Sequence, residues 1–327
     1  MAVIADKMYN LRDYAAQFGA NGQELAIAEV LSQTNDIIAD MPLVEGNSDA
    51  GHEFAVRTGI PKGAFRRAYK GIPPEKATSQ VVLARFGTLG AYSVIDKLTA
   101  EKGGHVDAVR SGQSRAILSG MSNTMADAII YGGEDELDKF PGLEAHYGSL
   151  SAKVPSSRNI VNAGGNSAAK NSSIYLVVWD TDKVFSFFPK GAKAGLERKD
   201  FGLVNHTDAE GEEYPAYKEY FEWKLDIAVQ DWRYAGRICN INTADLANVD
   251  LVGLMQDLEE KIQATNVGHP VWYMNRTVRS ALRKQLGNKA NVQYTPDTPN
   301  AKPILRFSEI PVHLCDAIKD TEAKLGA

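Results

Sequence analysis

Few side chains in this 327-residue sequence are placed to do chemistry, and those few are scattered. A zinc-protease helix needs two histidines four apart with a glutamate between them. His52-Glu53 lacks the second histidine, and His105, His146, His206, His269 and His313 show no two-ligand spacing. A phosphate loop needs Gly-Lys-Ser/Thr after its glycines; Asn162-Ala-Gly-Gly-Asn166 has none and reads as a flexible turn. No Gly-x-Ser-x-Gly elbow occurs, and neither Cys239 nor Cys315 stands in a recognised nucleophile pattern with a histidine. Two cysteines are too few for a disulfide framework or a four-thiolate zinc site. Pairs such as Asp135/Glu136 and Glu259/Glu260 are more often solvated helix faces than acid/base dyads. The expectation is a chain with no catalytic, cofactor or metal site.

One cluster of charge does stand out. Arg57, Lys62, Arg66, Arg67 and Lys70, followed by Lys76, fall among few acids in a stretch punctuated by Gly46, Gly51, Gly59, Pro61, Gly63, Gly71, Pro73 and Pro74. A segment of this length with little apolar periodicity is unusual inside a compact domain, and tends to be functional or to pack elsewhere. Two readings stay open: a solvated surface hairpin, or an extended loop laid over an adjacent subunit with its cations paired to that subunit's acids. Nucleic-acid contact is less favoured, because Phe65 and Tyr69 are the only interleaved aromatics and the net charge is −5. The five cations from Arg57 to Lys70 are therefore the candidates for inter-subunit contact.

The elements that position them can be read from spacing. Residues 8–40 carry Leu11, Tyr14, Phe18, Leu25, Val30, Leu31 and Ile37 at helical intervals, ended by Met41-Pro42. Residues 78–98 alternate weakly and read as strand. From Val106 to Ile130 an apolar stripe including Val109, Ile117, Met121, Met125 and Ile129 predicts a helix roughly 40 Å long at about 1.5 Å per residue, ended at Tyr131-Gly132-Gly133. Ser173–Trp179 and Val184–Phe188 flank Asp180-Thr-Asp-Lys183 and predict a β-hairpin. Residues 197–216 read as a polar surface loop. Tyr217–Asn242 carries the strongest strand signal, suited to a long strand or bent pair beside the long helix. Leu251, Leu254, Met255, Leu258 and Ile262 predict an amphipathic helix feeding the strand Val271-Trp-Tyr-Met274. Asn275 then sits as helix cap, with Val278, Leu282 and Leu286 on one face and Arg279, Arg283 and Lys284 on the wet side. Ile304–Ile318 supplies a further strand around Ile310-Pro311-Val312. Hydrophobic content of 44% and charged content of 24% are ordinary for a globular α+β chain. No secretory signal core is seen at the N-terminus, and no run approaches the roughly 18 apolar residues of a membrane span. This is the pattern of a soluble, cytosolically made protein.

A strand ending in Met274-Asn275 before a Thr277-containing helix, then an Ile-Pro-Val strand, resembles the shell-forming domain of tailed-phage major capsid proteins, the Hong Kong 97-like fold. The long helix followed by Phe140-Pro141-Gly142-Leu143 resembles that family's spine helix and its Gly-Leu turn. One order differs, since Tyr217–Asn242 precedes the Val271 strand where the family's long strand usually follows. The resemblance implies an N-terminal arm (1–42), an extended loop (43–77), a peripheral domain (78–245) with its spine helix at 106–130, and an apical domain (246–327). It implies a non-enzymatic virion protein of a short-tailed phage. Its copies assemble as hexamers and pentamers around double-stranded DNA, made in the host cytoplasm, with decoration, scaffold and portal proteins as further partners. The competing class is a soluble α+β enzyme or binding protein with a pocket near Trp272, Tyr273 and Asn275.

Overall fold

The computed structural model describes residues 34–287 and 305–326, apart from 49–50, 60, 134–137, 166–168, 193 and 209. In chain order the strands are β1 (Leu43–Glu45), β2 (His52–Gly59), β3 (Thr78–Ala84), β4 (Gly87–Asp96), β5 (Ile160–Asn162), β6 (Asn171–Trp179), β7 (Val184–Phe188), β8 (Leu196–Thr207), β9 (Glu213–Val229), β10 (Ala235–Asn242), β11 (His269–Met274), β12 (Arg306–Phe307) and β13 (Ile310–Leu314). Among the described residues three helices longer than two turns join them: α1 (Val106–Tyr131), α2 (Leu251–Lys261) and α3 (Arg276–Gly287).

Two sheets share the core. The six-stranded sheet runs β12-β13-β11-β6-β10-β5, with β6 antiparallel to both β10 and β11. Every residue of β6 is buried because both of its faces are covered. Ile174, Leu176 and Val178 pack with Leu251, Met255 and Leu258 of α2 and Val278, Leu282 and Leu286 of α3. Tyr175, Val177 and Trp179 point the other way, into a core with Met125, Ala126, Ile129 and Ile130 at the end of α1. In the five-stranded sheet the 17-residue β9 is the centre: β4 pairs along one edge, and β8 and then β7 along the other. β1 extends it, parallel to β7. A separate two-stranded ribbon is made by β2 and β3.

The long helix runs from Val106 to Tyr131 as its spacing predicts, yet its stripe is not continuous. Ala116 and Gly120 are exposed. Mid-helix the contact to the sheet is polar instead. Ser114 Oγ bonds Glu219 Oε2 (2.8 Å), while Arg110 reaches Glu219 (2.6 Å) and Asp200 (2.5 Å). Arg198 adds a second cation at 2.9 Å from Glu219, whose side chain is buried. Burial alone would raise the Glu219 pKa; the hydrogen bonds from Arg198 and Ser114 and the charge of Arg110 outweigh it and lower the pKa. At the far end Gly132 closes the helix, where a Cβ would lie 2.1 Å from the Phe140 carbonyl oxygen.

Several expectations are corrected. The turn Asp180–Lys183 forms, but β6 and β7 part after a single bridge, Asp180 to Val184, and enter different sheets. Residues 197–216 are not a loop: β8 and the start of β9 occupy them, paired from Leu196–Trp223 to Thr207–Glu213. Tyr217–Asn242 is divided, since β9 lies in the sheet with α1 against it while β10 crosses to the six-stranded sheet. Residues 78–98 hold two strands, β3 and β4, not one. Most of the helix expected at 8–40 lies outside the described residues; within them only Ile37–Asp40 is helical, a single turn.

Candidate assembly interface

The β2–β3 ribbon is built from a clamped root and a free tip. At the root, Phe54, Ala84 and Phe86 pack on Phe185, Phe187 and Ala228 of the five-stranded sheet. His52 sits edge-on to Phe185, 5.3 Å between centroids at 83°. Burial lowers the His52 pKa, so the ring is neutral near neutral pH and packs as an aromatic. Gly51 permits the approach, because a Cβ there would stand 1.9 Å from the Ala84 carbonyl oxygen. Beneath the root lies a cleft of about 720 Å³, lined by Phe54, Val82, Leu83, Phe86, Pro141 and Trp232 among others.

Asp226 contributes to the same wall. It is fully buried, its Oδ1 accepts the Ile227 N–H, and its Oδ2 has no partner among the described residues. Burial pushes its carboxyl well above the usual carboxylate range, so it holds a proton under the Phe185–Phe187 face. Nothing in the sequence around Asp226 marks it; only the alternation of β9, which turns Leu225 and Ile227 to one side and Asp226 and Ala228 to the other, could have placed it in an apolar setting.

Beyond the root the chain leaves the body. Described residues from Pro61 to Leu83 are all exposed, Phe65 and Tyr69 at full solvent exposure (109% and 101%). The tip is held by bonds among its own residues. The amides of Lys62 and Gly63 donate to Glu75 Oε2 (2.7 and 3.1 Å), the Lys70 amide to the Arg67 carbonyl (3.2 Å), and Arg66 Nε to the Lys70 carbonyl (3.0 Å). Tyr69 takes a left-handed φ of 66° to close that turn. The candidates Lys62, Arg66, Arg67 and Lys70 are thus gathered on one projecting tip, and among the described residues none is in an ion pair. Arg57 is set apart from them, on β2 opposite Ser79. A surface of this make-up, two bare aromatics among cations without an ion-pair partner among the described residues, is suited to burial against another molecule.

The family model for "Major capsid protein GP7" matches residues 19–326. This chain belongs to the GP7 major capsid protein family. Among solved structures, the bacteriophage Epsilon15 particle contains a chain that is 28% identical and superposes with a TM-score of 0.80, each chain covered in full. The capsid of bacteriophage JBD30 matches at a TM-score of 0.51 and 10% identity, over 88% of this chain and 93% of that one, which is a likeness of fold. No curated protein matches. The fold is Hong Kong 97-like, and the chain is a structural, capsid-forming protein of a phage virion.

Trp272 and Asn275, the residues of the alternative pocket, are both buried and engaged by their neighbours. Trp272 is fully buried against Phe307, ring edge to ring face at 6.0 Å. Asn275 is consumed by structure: its Oδ1 caps α3 by accepting the Val278 N–H (2.9 Å), and its Nδ2 donates to Ser172 Oγ, the Ile318 carbonyl and Asp320 Oδ1. These residues were legible as important but for a different reason.

Proposed function

We propose that this capsid protein closes into pentamers and hexamers of an icosahedral head around double-stranded DNA, and that the β2–β3 ribbon of each copy lies across a neighbour. The observation that carries the reading is the bare tip: among the described residues Phe65 and Tyr69 are fully exposed, although burying such a ring contributes about 1.5–3 kcal/mol. A tip on one face of the subunit meeting a different face of the next is a heterologous contact, the kind that closes into rings. Arg57, Lys62, Arg66, Arg67 and Lys70 are the cations assigned to that seam, opposite acids of the neighbour. We assign residues 1–42 to an arm, 43–77 to the extended loop, 78–245 to a peripheral unit and 246–327 to an apical unit. The six-stranded sheet takes β5, β6 and β10 from the third segment and β11 to β13 from the fourth, and so stitches those two together. Scaffold, portal and decoration proteins, met in the host cytoplasm where the chain is made, complete the proposed partners.

Replacing residues 61–77 by an Asn-Gly turn removes the tip and leaves both ribbon strands and the root in place. The expected product is a folded, soluble subunit that forms no closed particles in electron micrographs. Arg66→Glu with Arg67→Glu is expected to block assembly most strongly at low salt, where screening is least. Closed shells at wild-type yield from both variants would end the assignment.

A further inference from the structure

A strap of chain from Thr34 to Glu45 crosses from one sheet to the other. At its start the Asp36 amide donates to the Leu314 carbonyl (3.0 Å), and Asp36 Oδ2 accepts the Leu314 amide (3.1 Å), fixing the strap to the end of β13. At its other end Leu43–Glu45 pairs with β7 of the five-stranded sheet, and the Pro42 carbonyl accepts from both the amide and the hydroxyl of Ser186. Between these anchors a chain of side-chain hydrogen bonds holds the strap's middle. Trp179 Nε1 donates to Tyr273 Oη (2.8 Å), Tyr273 Oη donates to Asp40 Oδ2 (2.7 Å), and His313 Nδ1 lies 2.6 Å from the same oxygen. Trp179 and Tyr273 are buried, whereas His313 and Asp40 keep 27% and 19% of their side chains exposed, so protons can reach the pair.

We infer that His313 and Asp40 form a proton-controlled clip that holds the 34–45 strap across the junction of the two sheets. A charged imidazolium gives Asp40 an ionic partner as well as the Tyr273 hydroxyl; a neutral ring leaves the carboxylate with weaker company. The groups that face the ring are known from each side: Asp36 and Asp40 on the strap, Tyr273 on β11, and Arg279 on α3, the last opposing its charge. The hydrogen bond that His313 donates to Asp40 raises the His313 pKa above its ordinary value, against the opposite pull of burial. The sign follows: the clip is fully closed below about pH 6.5 and loosens as pH rises through the raised value. It acts on the strap, which leads at one end to the N-terminal residues and at the other to the ribbon.

Hydrogen exchange read by mass spectrometry on the full-length protein tests this, using protection factors so that the intrinsic pH dependence of exchange cancels. In wild type, protection of the amides of residues 36–45 is expected to fall several-fold, up to about tenfold, between about pH 5.5 and about pH 9. In His313→Asn and in Asp40→Asn the same amides should be weakly protected at every pH, with no such fall. Residues 171–179 should be unchanged in all three proteins. Flat protection in wild type would overturn the clip, and so would a fall that survives in either variant. An equal loss at 171–179 would overturn its local character.

Discussion

Replacing Asp226 by Asn should stabilise the protein, and by an amount that depends on pH in a calculable way. The native carboxyl is fully buried beside Phe185 and Phe187 with one oxygen unpartnered, and it retains its proton well above the usual range. In the unfolded chain the same group ionises near pH 3.9. Above that pH the native state therefore binds one more proton than the unfolded state, and stability falls by about 1.36 kcal/mol for each pH unit until the native group itself ionises. Asn keeps an oxygen to accept the Ile227 N–H and carries no titrating proton. The two proteins should match near pH 4 and then diverge as pH rises, with the variant more stable, at up to about 1.36 kcal/mol per pH unit for as long as the native carboxyl keeps its proton. Urea unfolding of the unassembled subunit at a series of pH values measures it as a shift in midpoint at constant slope. A stability difference that does not change with pH, or a variant less stable at about pH 6, would refute the account of Asp226 as a neutral buried acid.

Two further substitutions probe the core. Arg237 is buried and joins Glu322 and Glu144 (both 3.0 Å) while its Nε donates to Ser173 Oγ; Glu322 also takes the Tyr131 hydroxyl at the end of α1. Arg237→Met strands these carboxylates and is expected to cost about 3–5 kcal/mol in urea unfolding; a loss under about 1 kcal/mol would remove the network from the account of how the C-terminal segment is held. Asn275→Ala removes a helix cap and the Nδ2 hydrogen bonds to Ser172, Ile318 and Asp320, the first two buried, for an expected loss of about 2–4 kcal/mol. Asn275→Ser keeps a capping oxygen and should lose measurably less, so equal losses for the two would argue against the cap.

What could be read from residues alone was whatever depended on neighbours close in the chain. Val278, Leu282 and Leu286 on one face, and Asn275 before them, define α3 locally, and the structure follows that pattern. β6 was recognisable as strand because its apolar run is unbroken, but a strand buried on both faces carries no mark of which partner it takes. Hence its partners proved to be β10 and β11, not the adjacent β7. β8 was missed for the opposite reason: Glu197 to Phe201 are all exposed, so no apolar alternation betrays a strand that exists by pairing with β9. At the tip, composition and glycine spacing set Lys62, Arg66, Arg67 and Lys70 in an extended segment with little apolar periodicity, open to either solvent or a neighbour. The root was not, because Phe54, Phe86, Phe187 and Ala228 meet only after the chain has folded back over more than a hundred residues.

The free ribbon has a cost before any neighbour arrives. Among the described residues β2 and β3 pair with each other and with no further strand, and apart from Glu53, whose amide and carbonyl bond the Asn47 side chain, their outer edges face away from the sheets, with Val81 exposed beside them. Such edges invite wrong pairing between newly made molecules. Lysines and arginines beside such an edge are expected to repel one ribbon from another, as gatekeeper charges do. A variant that neutralises them would therefore be expected to lose solubility as well as its seam, which makes ribbon charge a matter of survival for the free subunit.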